Sequence, residues 1–235
     1  MQKMMARDSL SSPAATSLTR VFLTCGIIAG PLYVALGLLQ ALIRPGYDVT
    51  RHDLSLLSNG NLGWIQIANF LIAGLLVIAG SLGMRRAMRG TRGGTWAPIL
   101  LGLYGLGLIG AGIFVADPMN GFPPGTPPGP PLNPTGHSLM HIVSGAIGFL
   151  GQIAACFVFA RRFAALGQRG WAAYSIVTGV LFFAAFFGIA AGSQAGGATL
   201  VFVTVAFTIA VILAWAWISL MAARLLNENS NDGKR

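Results

Sequence analysis

Six long runs of apolar residues, separated by short polar segments, set the pattern of this chain. Each run has about 20 or more residues, the length that an α-helix needs to cross the hydrocarbon core of a bilayer. None contains Asp, Glu, Lys or Arg, each of which would cost about 2.5–3.5 kcal/mol at the bilayer centre. The pattern predicts an all-α integral membrane protein, a six-transmembrane-helix bundle, with helices at Val21–Ile43, Trp64–Met84, Trp96–Ala116, Ser138–Ala160, Trp171–Ala191 and Thr199–Met221.

The basic residues predict which side of the membrane each loop occupies. Thirteen of the fifteen Lys and Arg residues fall on the side of the two termini, and Arg44 and Arg51 fall on the other. Because cytoplasmic loops carry the excess of basic residues, we expect both termini in the cytoplasm. Residues 1–20 and 224–235 would then be cytoplasmic tails around a membrane domain of residues 21–223.

Composition favours a lipid environment and argues against a nucleic-acid partner. The chain is 54% hydrophobic and 9% charged, whereas a soluble domain has about 25% charged residues. A net charge of +9 would suit a nucleic-acid binder, but the basic residues lie in short clusters between apolar runs, as membrane topology requires. Cys25 and Cys156 fall within apolar runs, so we expect small buried side chains without disulfide or redox chemistry. The expected partner is the lipid bilayer, and the sequence does not define an oligomeric state.

The first predicted outer loop, Arg44–Gly63, has the signals of a short helix. Asp48 or Thr50 can cap its start and Asn59-Gly60 can end it. Helical spacing places several residues on one mainly apolar face, namely Val49, His52, Asp53, Leu56 and Leu57. We expect an interfacial helix that lies at the membrane surface or between the helix ends.

The loop that follows Asp117 holds eight of the twelve prolines. Proline lacks a backbone N–H and has a fixed φ, so the loop is expected to be neither a helix nor a paired strand. It predicts either an extended, polyproline-like lid or a stiff disordered spacer.

Two histidines at the start of the fourth helix are candidates for metal binding. His137 and His141 are four residues apart and so project from one helix face, where two imidazoles can share an ion. The zinc-protease motif also needs a Glu after the first His, and this position is Ser138, so a protease of that kind is not supported.

Asp117 is the candidate for the third ligand or for a base. At the end of the third predicted helix its carboxylate would meet the negative end of the helix dipole and would need a compensating partner, such as Arg51 or a metal. With His52 or Asp53 completing the set, these residues would hold zinc or another divalent transition metal with an open position for water. Asp117, Asp53 and Ser55 are the candidate catalytic residues for hydrolysis of a lipid-like substrate.

Each of these residues also has a simpler interpretation. Outer-loop histidines are often solvated, and Ser55 is better explained as a turn cap than as a group that orients water. Gln66 and Asn69 either support metal ligands or form interhelical hydrogen bonds, and the second role is favoured. The alternative function is a non-enzymatic transporter or partner-binding subunit whose outer loops bind a small molecule, a lipid or a protein. An ion-coupled carrier is disfavoured because the apolar runs contain no carboxylate.

Three short motifs carry a resemblance to a known family. They are Asp53-Leu-Ser55, the segment from Phe114 to Pro118, and His137-xxx-His141. On these motifs the chain resembles the bacterial six-helix membrane proteins of the domain-of-unknown-function family 998, over about Val21 to Arg224. The resemblance implies the six-helix fold and a multi-pass location in a bacterial plasma membrane, and it implies no particular activity.

Overall fold

The computed structural model describes residues 13–232, and within them the chain forms six α-helices and one short 3-10 helix. All six helices are long and apolar enough to span a membrane, which confirms the predicted all-α membrane fold. The helices are α1 (Pro13–Ile43), α2 (Gly63–Ala87), α3 (Trp96–Ile113), α4 (Gly136–Ala165), α5 (Arg169–Gly192) and α6 (Gly197–Asp232), with the 3-10 helix at Leu54–Ser58 between α1 and α2.

Helices that follow each other in the chain pack side by side, and α6 packs back against α1, so the six helices close a ring. We call the end that carries the α1–α2, α3–α4 and α5–α6 loops the histidine end. The opposite end, with the α2–α3 and α4–α5 loops, is the arginine end. Residues 1–12 and 233–235 of the predicted tails lie outside the described part, and within it α1 and α6 continue into both tail regions.

Glycines allow close helix contacts in α1, and less so in α5. A Cβ atom added to Gly30 would lie 2.7 Å from the backbone oxygen of Trp215 in α6, and one added to Gly26 would lie 3.0 Å from Cβ of Ala222. Gly188 in α5 has no atom within 4 Å of such a Cβ, whereas Gly192 faces Val203 at 2.8 Å. Small residues of this kind let the backbones of membrane helices approach each other, here α1 and α6.

The polar side chains of α2 form interhelical hydrogen bonds, as the favoured interpretation predicted. Gln40 of α1 donates through Nε2 to Oε1 of Gln66 at 2.9 Å, and Asn69 donates through Nδ2 to the backbone oxygen of Tyr33 at 3.1 Å. Both α2 residues are buried. Since no water competes in such an interior, these bonds hold α1 against α2.

The helix of the first loop starts later than predicted. Asp53 is its N-cap and accepts the Ser55 N–H at 2.9 Å. Asp48 instead accepts the Thr50 N–H at 2.9 Å, which closes a separate turn. The helix ends at Ser58 with Asn59 as its C-cap, at the predicted Asn59-Gly60 stop, and its three leucines are buried between the ends of α1 and α2, namely Leu54, Leu56 and Leu57.

Helix α3 ends at Ile113, before the predicted end at Ala116. Phe114 is already extended, with φ −99° and ψ 100°, so Asp117 is not part of the helix. Pro118 also keeps Asp117 out of helical geometry, because helical φ and ψ are disfavoured for the residue before a proline. The premise that Asp117 faces the negative end of the α3 dipole is therefore wrong, and its partners have to be sought elsewhere.

Candidate ligand-binding cavity at the histidine end

His52 joins the first loop, between α1 and α2, to the loop between α3 and α4 that follows Asp117, which we call the proline-rich loop. Its Nδ1 accepts the backbone N–H of Asp48 at 2.9 Å, which requires that Nδ1 carry no proton. Its Nε2 therefore carries the proton and donates to the backbone oxygen of Asn120 at 3.0 Å. The side chain is 3% exposed. With both nitrogens engaged, His52 is a structural link between loops and has no lone pair for a metal.

Phe122 of the proline-rich loop packs against aromatic residues of the first loop. Its side chain is fully buried, with ring centroids 5.3 Å from Tyr47 and 5.4 Å from His52. Its backbone exchanges two hydrogen bonds with Met119, at 3.0 and 3.2 Å. Of the two predicted forms, lid or disordered spacer, this arrangement corresponds to an ordered cover.

Arg44 is a buried cation beneath that cover. Its guanidinium lies 5.2 Å from the centroid of Phe122 and donates to the backbone oxygens of Leu57, at 3.0 Å, and of Asn59. Burial lowers the pKa of Arg44. Among the described side chains the one ion pair is that of Arg224 with Glu228 at the arginine end, so carbonyl oxygens and an aromatic ring, rather than a carboxylate, stabilise this charge.

Asp117 finds its partners at the start of α4. Its Oδ2 accepts the backbone N–H of Thr135 at 2.8 Å and its Oδ1 accepts the Thr135 hydroxyl at 2.7 Å. Thr135 is also the N-cap of α4, since its Oγ1 accepts the Ser138 N–H at 3.1 Å. A carboxylate is favoured at the positive end of a helix dipole. Asp117 thus ties the end of α3 to the start of α4, without the cation that the sequence analysis expected.

His141 is oriented by the end of α3. Its Nδ1 lies 3.0 Å from the backbone oxygen of Ala111 and 2.8 Å from that of Phe114. Carbonyl oxygens only accept hydrogen bonds, so Nδ1 carries the proton. The imidazole thereby caps carbonyls that the last turn of α3 leaves without a helical partner.

His137 lies on the outer surface of α4, apart from His141. Its side chain is exposed. Its ring forms a T-shaped contact with Phe114, with 5.7 Å between the ring centroids. Spacing alone placed the two histidines on one face, but the end of α3 separates their environments.

The predicted ligands do not converge on one point. Within residues 13–232, no group of three or more His, Cys, Asp and Glu side chains is arranged to hold a metal ion. His52 binds two loop backbone groups, Asp117 binds Thr135, His141 binds α3, and His137 is at the surface. A metal-dependent hydrolase receives no support from this arrangement.

Several of the candidate residues do line a shared cavity of about 390 Å³. This lies within the range of about 300–1,000 Å³ that is usual for small-molecule sites. The charged side chains of its lining and several of the polar ones lie at the histidine end, which we call the mouth, namely Arg51, Asp53, Ser55, Asp117, Ser193 and Gln194, beside apolar residues such as Ala116, Met119 and Pro131. Its deeper wall is apolar and comes mainly from α4, α5 and α6, through Ile142, Gly145, Phe149, Phe186, Phe207 and Val211.

Part of the cavity lining is also exposed at the surface of the helix bundle. Ile142 of α4 and Ala190 of α5 both line the cavity and are exposed. Gly145 also lines it, and a Cβ atom added there would meet no atom within 4 Å.

Four hydroxyl-bearing residues line the cavity away from the histidine end, namely Tyr33 of α1, Tyr104 of α3, and Thr204 and Thr208 of α6. Thr204 is 1% exposed, and its Oγ1 has no hydrogen-bond partner. An unpaired polar atom in an apolar interior is costly, so a ligand atom that approached Thr204 would gain from this group.

Sequence reasoning identified several mouth residues but missed the cover and the deep wall. Asp53, Ser55, Asp117 and His141 were candidates and all line the cavity. Phe122 was overlooked, although a lone aromatic among prolines and glycines was a usable signal. No local signal marks Thr204, because its surroundings come from distant helices.

The fold and the cavity define a multi-pass membrane protein with an amphipathic cavity between its helices. The chain matches the family described as "Protein of unknown function (DUF998)" over residues 27–224 and belongs to it. This confirms the family resemblance. No curated protein and no solved structure matches the chain.

Proposed function

We propose that this protein binds an amphiphilic, lipid-like small molecule in the cavity, with the polar group of the ligand at the mouth and its chain against the apolar wall. The observation that carries the proposal is the division of one continuous cavity into a polar mouth and an apolar interior. A wholly polar ligand would leave the aromatic wall unmatched, and a hydrocarbon would leave the mouth unmatched.

The mouth offers both signs of charge to a headgroup. Arg51 is an exposed cation there, and Asp53 an anion whose Oδ1 already accepts the N–H and hydroxyl of Ser55. Both oxygens of Asp117 are engaged by Thr135. We therefore propose Arg51 and Asp53 as headgroup contacts, and Asp117 as the residue that holds the rim in shape.

We further propose that the histidine end faces away from the cytoplasm, across a bacterial plasma membrane. The bias of basic residues toward the arginine end supports this orientation. The ligand would then enter from the outer leaflet.

The test is photo-crosslinking of the full-length protein in phosphatidylcholine nanodiscs with a dodecyl alcohol that carries a diazirine on its chain. We expect labelling of α4 and α5 residues on the cavity wall. Gly145→Phe should abolish this labelling, because its side chain would occupy the open space at that position.

Gly188→Phe is the matched control. It lies on α5, has the same open surroundings, and is absent from the cavity wall. Cavity labelling should persist in this variant. Uniform labelling of all lipid-facing helix surfaces, unchanged by Gly145→Phe, would overturn the proposal.

A further inference from the structure

His141 lines the cavity, and within residues 13–232 only one of its two ring nitrogens is engaged by the protein. Its Nδ1–H is committed to the backbone oxygens of Ala111 and Phe114. In a neutral imidazole the second nitrogen, Nε2, then keeps its lone pair and can only accept. His141 also lines the cavity, and its Nε2 has no hydrogen-bond partner among the described residues. The α3 carbonyls therefore set which chemical role this side chain has toward a ligand.

The position of His141 is as informative as its tautomer. It lies in α4 directly after the mouth, with Ser138 one turn before it and Gly145 one turn after it, and all three line the cavity. The side chain is 9% exposed, and the edge of the Phe70 ring packs against it at 6.1 Å between centroids. The α3 carbonyls and Phe70 thus orient the imidazole at the boundary between the polar mouth and the apolar wall.

From this geometry we infer that the cavity selects amphiphiles with an O–H or N–H donor where the headgroup joins the chain, and that Nε2 of His141 is the atom that accepts it. The inference rests on the proposed function and specifies its ligand class. A hydroxyl and a primary ammonium share this chemistry. An ether or a quaternary ammonium of the same chain length lacks the donor and would leave Nε2 unpaired.

The expected selectivity follows from one hydrogen bond. A net contribution of about 0.5–1.5 kcal/mol corresponds to roughly a two- to tenfold difference in affinity. We expect a preference of this size for each donor-bearing ligand over its partner without a donor.

The experiment uses two matched pairs of photoreactive probes with full-length protein in phosphatidylcholine nanodiscs. One pair is the dodecyl alcohol and its methyl ether, and the other is the dodecyl primary ammonium and its trimethyl derivative. Within each pair, we measure the concentration of each probe that gives half-maximal labelling at the cavity wall. The preference ratio is the concentration for the probe without a donor divided by that for the probe with a donor. A ratio above one in both pairs supports the shared donor, and a ratio above one in a single pair assigns the donor to hydroxyl or to amine.

His141→Phe should reduce the ratio to one, and His137→Phe, at the exposed histidine of the same helix, should leave it unchanged. Since the phenyl ring cannot donate to the α3 carbonyls, His141→Asn is the second variant. Its amide N–H can replace the Nδ1 donor, while the acceptor at the Nε2 position is lost, so the ratio should also fall to one in folded protein.

The two proposals fail in different ways. Cavity labelling with a ratio of one in both pairs, or a ratio that survives both His141 substitutions, would overturn the donor requirement and leave amphiphile binding intact. Absence of cavity labelling by all four probes would overturn the proposed function itself.

Discussion

Nε2 of His52 lies 3.0 Å from the backbone oxygen of Asn120, a residue 68 positions further along the chain. The bond joins the first loop to the proline-rich loop, and the Nδ1 of the same ring accepts the Asp48 N–H. One buried imidazole thus holds together the cover of the histidine end.

His52→Ala should loosen this cover. The substitution leaves the Asn120 oxygen and the Asp48 N–H without partners, for which we expect a loss of about 1–3 kcal/mol in local stability. Amide hydrogen exchange should accelerate at Asn120 and Gly121, whose N–H groups bond to Gly129 and Pro127 within the loop.

His137→Ala is the control for this measurement, because His137 is exposed and its ring packs on Phe114, away from the contacts of His52. Its exchange rates in the proline-rich loop should match those of the parent protein. Equal exchange in both variants would show that His52 does not hold the loop.

Asp117→Asn should destabilise the start of α4. The amide keeps one acceptor oxygen for the two donors of Thr135 and removes the charge that favours the helix N-terminus. We expect a loss of about 1–2 kcal/mol, measured as a lower midpoint of thermal unfolding in detergent.

Asp48→Asn tests whether any loop carboxylate would behave in this way. Asp48 is exposed and its carboxylate accepts hydrogen bonds from Thr50 within its own turn, so the variant should unfold close to the parent protein. An Asp117→Asn midpoint indistinguishable from that of Asp48→Asn would contradict the role of Asp117 between α3 and α4.

Gly30→Ala should weaken the contact that closes the helix ring. Its methyl group would lie 2.7 Å from the backbone oxygen of Trp215, which cannot move without shifting α6. Overpacking of this kind costs about 1–3 kcal/mol. Gly188→Ala, with no atom within 4 Å, should be neutral or slightly stabilising by helix propensity. Equal unfolding midpoints for the two variants would exclude close packing at Gly30.

The proposed orientation can be tested with single cysteines in a background that carries Cys25→Ala and Cys156→Ala. Leu132 lies in the proline-rich loop and is 97% exposed, and Leu166 lies at the arginine end and is 54% exposed. A membrane-impermeant maleimide should label Leu132→Cys in intact cells, and Leu166→Cys only after lysis. The reverse result would invert the topology.

The membrane fold was predictable from the sequence because each span is a local property. About 20 apolar residues must form a helix in lipid, since no other local structure satisfies the backbone hydrogen bonds there. The interhelical roles of Gln66 and Asn69 followed from the same logic and are confirmed by their bonds to Gln40 and Tyr33. The end of α3 was harder to place, because its last carbonyls are capped by His141 from another helix.

The sequence by itself determined that the chain forms six membrane-spanning helices and that all three histidines and three of the six acids lie at one end of them. Only the tertiary structure decided what those groups do: His52 joins two loops, Asp117 binds the start of α4, and His141 faces a cavity with one acceptor. The physical reason is that apolar length acts within a segment, whereas the role of a polar side chain depends on which backbone groups the fold brings to it. For His141 those groups are the two carbonyl oxygens at the end of α3.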